Sequence, residues 1–447
     1  MMSVEKFGYK QELKRTLSFW DLLIYGLIFL VPIAPFGVYG YISDASKGMV
    51  PLAYVIGMVG MIFTAFSYAQ MSKAFPVAGS VYAYAQHGLN RHVGFIAGWS
   101  ILLDYILIPA LTYAVSAVSL SAFIPALPVW FWLVFFILFN TMINIRGIEF
   151  TAKANKIILV LEFAVLITFI VAGLIALNKG VNHSSLTIKP LYDSSKFNLQ
   201  LVMGAVSIAV LSFLGFDAIS TLSEEVKGGR KLVGKATVCA LLVVGTLFIV
   251  QTWIASDLGR GLKLDNLDTA FYQIAELAGG SWLKNLTILA TAFSWGIASA
   301  LASQAAISRL LFSMGRDRNL PHVLAKVHPK FKTPYISTIF VAIISFVVGL
   351  AFIYHIDLLT NIINFGALTG FLLLHVSVIN HYMIRQKSKQ FIKHLVFPIL
   401  GFIVIGYVLM GMNHLALVVG ITWIVVGIIY NFILVRVFKV KETSLNL

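Results

Sequence analysis

Pro32-Ile33-Ala34-Pro35-Phe36-Gly37 interrupts a stretch that is otherwise apolar from 18 to 41, and Ser212-Phe213-Leu214-Gly215-Phe216-Asp217 interrupts another, from 198 to 221. Each proline removes an i→i−4 hydrogen bond from a helix. The second stretch sets a glycine and an acid at mid-depth in its apolar run. The two interruptions lie about 180 residues and five hydrophobic segments apart. An odd offset turns the second copy upside down relative to the first. Broken helices at matching positions of two halves mark the midplane site of a secondary transporter. Two Pro/Gly kinks in packed helices would leave the same local signature, so the rest of the chain has to decide.

The surrounding composition excludes a water-soluble protein. Of 447 residues, 59% are apolar and 11% charged, against about 25% charged in soluble domains. At a mean hydropathy of +0.90 and 49.2 kDa, polar surface is too scarce to cover a globule. A bilayer span takes about 20 apolar residues. Twelve fit, near 18–41, 51–71, 93–122, 129–145, 154–177, 198–221, 233–256, 282–313, 335–354, 358–382, 395–412 and 414–437. The longest outer connections, 178–197 and 257–281, are polar and too short to be domains. The first span begins at full length at Ser18, so no cleavable signal peptide is expected.

The net charge of +15 does not indicate nucleic-acid binding, because no basic run is interleaved with stacking aromatics. With the N-terminus inside, 26 of the 33 Lys and Arg residues fall on inner segments and 7 on outer ones. The reverse orientation inverts that ratio, so the positive-inside rule puts both termini in the cytoplasm of a multi-pass cell-membrane protein.

The familiar site motifs are missing or incomplete. Gly229-Arg230-Lys231-Leu232-Val233-Gly234-Lys235 has phosphate-loop spacing, but Ala236 stands where the Mg²⁺-binding hydroxyl belongs and no strand precedes it. Without an ATP site, an ion gradient must supply energy. The single cysteine, Cys239, excludes disulfides and CxxC sites. The ten histidines show no metal-ligand spacing; His375 reads as a polar packing residue or a pore-facing one. No cofactor, metal or catalytic constellation is expected, so the chain does not read as an enzyme.

Several stretches resemble one family. Phe75-Pro76-Val77-Ala78-Gly79-Ser80-Val81-Tyr82-Ala83-Tyr84, then Gly94-Phe95-Ile96-Ala97-Gly98-Trp99, are similar to the element preceding and opening the third span of amino acid–polyamine–organocation (APC) transporters. Phe213-Leu214-Gly215-Phe216-Asp217 with Ser223-Glu224-Glu225 resembles their sixth span and following loop. Ser308-Arg309-Leu310-Leu311, Met314-Gly315-Arg316-Asp317 and Leu320-Pro321 resemble the end of the eighth. Trp99-Ser100-Ile101-Leu102-Leu103-Asp104-Tyr105, Thr221 to Glu225, and Ile363-Asn364-Phe365-Gly366-Ala367-Leu368 look like bacterial putrescine importers.

The resemblance implies an all-α polytopic fold of 12 transmembrane helices, with a LeuT-type 5+5 inverted repeat and two extra helices. The division would be a cytoplasmic segment 1–17, repeats 18–177 and 198–382, spans 395–437 and a cytoplasmic tail 438–447. It also implies import driven by protons. A sensor on this fold would be expected to carry an appended cytosolic domain, for which the terminal segments leave little room.

Acids inside a membrane are costly and are read first as functional. Three lie at depth: Asp104, Glu162 and Asp217. Asp21 sits at the start of its span, where a helix N-terminus favours an acid. Asp104, before Tyr105, is either a structural hydrogen-bonding group or a substrate contact. For Asp217 the resemblance implies a gating or substrate-amine role. Glu162, aligned from Asn155, falls where several proton-coupled APC carriers place a lysine that bridges the first and eighth spans. An acid reverses that charge yet still titrates, so Glu162 is a candidate for proton coupling or a polar packing residue. Tyr105, Tyr113, Phe213, Phe216 and Trp295 fall near the inferred pathway, where rings either pack or enclose a cation.

The first break bears on the substrate. Amino-acid carriers of the family offer free N–H groups there to a carboxylate. Here Pro32 and Pro35 delete two donors, while freed carbonyls could accept from an ammonium group. The candidate substrate-binding residues are Ile33, Ala34, Pro35, Asp104, Tyr105, Phe213, Gly215, Phe216, Asp217 and Trp295, with Glu162 for the proton. The expected partners are a small cationic molecule, protons and the lipid bilayer. The expected activity is proton symport of putrescine or a related polyamine; the alternative is a proton-coupled amino-acid permease of the same fold.

Overall fold

A computed structural model describes residues 17–75, 80–146, 149–223, 226–227, 231–264, 266–316 and 320–436. Eleven helices there are long and apolar enough to cross a membrane. The bent pair Phe19–Leu30 and Pro35–Ser46, 54° apart, makes a twelfth span. The expected spans all exist. The β-type pairing among the described residues is one isolated bridge, Leu17 to Val226.

Local chemistry explains the start of the first span. Ser18 caps its N-terminus and the Asp21 carboxylate accepts from the Ser18 backbone N–H, a capping box. The acid at Asp21 is therefore structural. The helix ends at Val31, whose φ of 49° turns the chain, and Pro35 opens the second half, where a missing N–H costs nothing.

The sixth span is broken as well: Leu199–Ala209, a tight turn at Val210–Phe213, then Ala218–Thr221 after an unwound stretch. The sequence reading missed a third irregularity. The eighth span runs from Ser281–Phe293 through a widened π turn, Ser294–Ser299, into Ala300–Arg316. Asn140 of the fourth span, Val129–Arg146, donates from Nδ2 to the Gly296 carbonyl in that turn at 2.7 Å.

Contacts join spans that are five apart. The second half of the first, Pro35–Ser46, packs on the sixth, the second (Val50–Ala74) on the seventh (Lys231–Leu258), the third (Arg91–Phe123) on the eighth, and the fourth on the ninth (Tyr335–Phe352). The third span is central: 94% of its apolar window is buried, against 17% for the twelfth, His414–Arg436. The twelfth is clamped to it by reciprocal bonds, each Trp of the Trp99–Trp423 pair donating to the other's carbonyl at 2.8 Å. In the 257–281 connection the chain forms a further helix, Ala270–Gly279, lying against the second half of the first span, Pro35–Ser46.

The Pro76–Gly79 part of the motif before the third span, Glu224, Glu225, Gly229, Arg230, Asp317 and the expected terminal segments (except Leu17) lie outside the described residues.

Candidate functional site

Asp217 is 2% exposed and draws its partners from three separate parts of the chain. Its Oδ2 accepts from Tyr105 of the third span at 3.1 Å, from Tyr68 of the second at 3.4 Å and from Ser80 at 3.4 Å. Ser80 begins the short helix Ser80–Gly88. Phe216 sets its ring edge-on to Tyr68 at 5.6 Å, and Phe371 of the tenth span, Ile356–Val378, closes the same cluster. Asp104, buried and beside Tyr105, lies within reach of Asp217's charge, and its Oδ1 has no hydrogen-bond partner.

The unwound stretch that carries Asp217 is built around Gly215. Its φ is +107°, a region open to glycine and rarely to other residues. A Cβ there would also overlap the Phe29 ring of the first span. The two broken spans thus touch at their breaks.

Ile33, Ala34 and Pro35 form the turn of the first break and are buried. The carbonyls expected to stand free for an ammonium group are engaged. Val31, Ile33 and Ala34 accept from the N–H groups of Ala34, Phe36 and Gly37. Gln251 of the seventh span donates from Nε2 to the Pro32 carbonyl at 3.0 Å. Proline freed that carbonyl and a neighbouring span satisfied it, because an unpaired carbonyl in an apolar interior is expensive. The same bonds use up the N–H groups of Phe36 and Gly37, so the break presents a poor nest for a carboxylate.

Glu162, 2% exposed on the fifth span Glu149–Asn178, lies beside the Ser294 hydroxyl at the start of the π turn. Its Oε2 has no partner. Trp295, the next residue, packs near Gly37 of the first span, and its indole N–H is likewise unpaired. Among the described residues, no Lys, Arg or His forms an ion pair with Asp104, Glu162 or Asp217.

Two candidates lie elsewhere. Phe213 turns away from Asp217 into a packed cluster with Tyr54 and Phe248, at 6.0 and 5.3 Å, between the second and seventh spans. Tyr113 sits in a separate apolar cluster of the third, fourth and eighth spans. His375 is a packing residue, bonded to Ser67 at 2.9 Å and Thr64 at 3.3 Å. Tyr68, Gln251 and Ser294 were missed. The signal for Gln251 was available as an amide in the middle of an apolar run; Tyr68 and Ser294 are common residue types with nothing local to mark them.

On the side of the helix Ala270–Gly279 the breaks are covered by packed side chains. Phe271 stacks on Phe36 at 3.9 Å and meets Phe169 at 4.7 Å. Tyr39 bonds Ser256 at 3.0 Å, and Tyr41 donates to Asp268.

The family model described as amino acid permease matches residues 17–441. The chain belongs to the amino acid permease family. Members of this family are APC-superfamily transporters rather than enzymes. The permease is 31% identical to the low-affinity putrescine importer PlaP of Escherichia coli K12, over 96% of this chain and 95% of that protein. It is 25% identical to the branched-chain amino acid permease BcaP of Bacillus subtilis and 27% identical to that organism's methylthioribose transporter, each over 98% of this chain and 96% of the relative.

Proposed function

We propose that this permease imports putrescine or a related polyamine by proton symport, with both termini in the cytoplasm and 18–177 and 198–382 as its inverted repeats. The observation that carries the reading is Asp217, buried among three hydroxyl donors with no basic partner among the described residues. A buried carboxylate needs a counter-charge or a proton. A cationic amine supplies the first and the transport cycle supplies the second. Ring faces at Tyr68, Phe216 and Phe371 suit an organic cation. The occupied N–H groups at the first break argue against a substrate carboxylate. Glu162, lying between the fifth and eighth spans, is the proposed proton carrier. The excess of Lys and Arg on inner segments supports the orientation.

An amino-acid permease of the same fold is the second reading, favoured by the likeness to BcaP. Uptake into proteoliposomes with an imposed pH gradient separates the two. Labelled putrescine should accumulate more than any neutral α-amino acid at equal concentration. Saturable alanine, serine or threonine uptake with no effect of diamine would establish the second reading instead.

A further inference from the structure

On the face that carries the inner connections, the second, seventh and eleventh spans leave a cavity of about 520 Å³. The eleventh span comprises Ile392–Val396 and Phe397–Met410. Four lysines line this cavity: Lys73 at the end of the second span, Lys231 and Lys235 at the start of the seventh, and Lys393 on the eleventh. Among the described residues no carboxylate lines it, and none of the four lysines is in an ion pair. Like charges gathered this way repel unless an anion sits among them.

The order of residues along the seventh span says what kind of anion. Lys231, Lys235, Val238 and Leu242 recur at helical spacing on one face. The charged pair stands at the inner end and the apolar pair deeper in the membrane. Phe66 and Phe397, with rings adjoining through the second–eleventh span contact, line the same deeper wall. A ligand filling this cavity is anionic at one end and apolar along its length.

The wall is held in place. His394, 4% exposed, bonds Ser388 at 2.8 Å and Gln70 at 3.3 Å and stacks on Tyr382 at 3.9 Å. Tyr382 in turn donates to the Gln70 carbonyl at 3.0 Å. Gln70 itself lines the cavity.

We propose that this cavity binds an anionic phospholipid, its headgroup among Lys73, Lys231, Lys235 and Lys393 and an acyl chain along Val238 and Leu242. Basic pockets between spans on the cytoplasmic side are suited to such headgroups. Free phosphate would use the lysines but leave the apolar wall uncovered. The site is remote from the Asp217 cluster in its residues and does not depend on which substrate is carried.

The chain's single cysteine, Cys239, lines the cavity and is half-buried, so its alkylation by N-ethylmaleimide reports occupancy without any labelling mutation. The full chain is compared in nanodiscs of phosphatidylcholine, in nanodiscs with added phosphatidylglycerol, and in phosphatidylcholine with inorganic phosphate in the buffer. Phosphatidylglycerol should slow alkylation by about fivefold or more, the scale of a single lysine–headgroup attraction. Inorganic phosphate should not. The slowing should vanish in a Lys73→Gln, Lys235→Gln, Lys393→Gln variant and survive the matching Lys→Arg changes. It should also survive Lys179→Gln with Lys189→Gln on the outer connection. Lys235→Gln alone should weaken it, should the triple variant fold poorly. Equal rates with and without phosphatidylglycerol would overturn the proposal. So would protection that persists in the Lys→Gln variants, which marks a general surface-potential effect, or equal protection by inorganic phosphate, which marks a small-anion site.

Discussion

The Tyr105 hydroxyl donates to Asp217 Oδ2 at 3.1 Å, joining the third span to the unwound stretch of the sixth across 112 positions of sequence. That bond ties the most buried span to the most irregular one. A movement of the sixth-span break relative to the third span would therefore break that hydrogen bond.

Asp217→Asn keeps the size of the side chain and removes the charge. Amine uptake should weaken by at least about tenfold, or about 1.4 kcal/mol. Tyr105→Phe removes one donor and should cost less, about 1 kcal/mol. Initial uptake rates over a substrate series check both. Unchanged affinity in a folded Asp217→Asn protein would move the counter-charge to Asp104.

Glu162→Gln mimics the protonated side chain. Substrate binding and counterflow exchange should persist while accumulation driven by a pH gradient falls. Both assays run on the same proteoliposomes. Accumulation that keeps its dependence on the gradient would make Glu162 a packing residue and send the proton through Asp104 or Asp217.

The two phenylalanines of the sixth-span break should part company. Phe213→Ala empties a packed site between the second and seventh spans and should cost about 3–5 kcal/mol of stability, read as a lower Tm. Phe216→Ala should instead weaken amine affinity by about fivefold, the worth of one partly desolvated cation–π contact.

Gly215→Ala meets two obstacles, a φ of +107° and the Phe29 ring. The backbone term alone is roughly 1–2 kcal/mol. Phe29→Ala removes the overlap but empties a buried site of its own, so the double variant should lose less Tm than the two single variants summed.

The packing of Ala270–Gly279 over the first break should depend on pH through Asp268. Burial raises its carboxyl above the ordinary range, the Tyr41 hydrogen bond pulls it down, and the charge of Asp357 adds to the rise. A raised value in the closed form means stability fully present below the ordinary carboxylate value, near about 4. That stability is lost as pH climbs through the raised one. Amide exchange in Ala270–Gly279, corrected for intrinsic chemistry, should quicken over that rise. Asp268→Asn should abolish the dependence.

Much of this was legible in the chain. Pro32, Pro35 and Gly215 act on their own backbone, so both broken spans could be read where they stand. Asp104, Glu162 and Asp217 announced themselves because an acid in an apolar run has few innocent explanations. The π turn at Ser294–Ser299 had no such mark: its Gly296 carbonyl is met by Asn140 of another span. Likewise, Phe213 and Phe216 are three residues apart and alike in chemistry, yet one packs between two helices while the other walls the Asp217 cluster.

The sequence by itself determined the number of spans and the two breaks and marked the acids within apolar runs, since all of these follow from local composition and backbone chemistry. Only the tertiary structure decided which side chains meet: Tyr68, Ser80 and Tyr105 on Asp217, Gln251 on the Pro32 carbonyl, Ser294 beside Glu162. The reason is the solvent. In water a helix shows which face it buries, because the other face is polar. In a bilayer both faces are apolar, since lipid is as greasy as the protein interior, and the rotation of each helix is written only in its contacts.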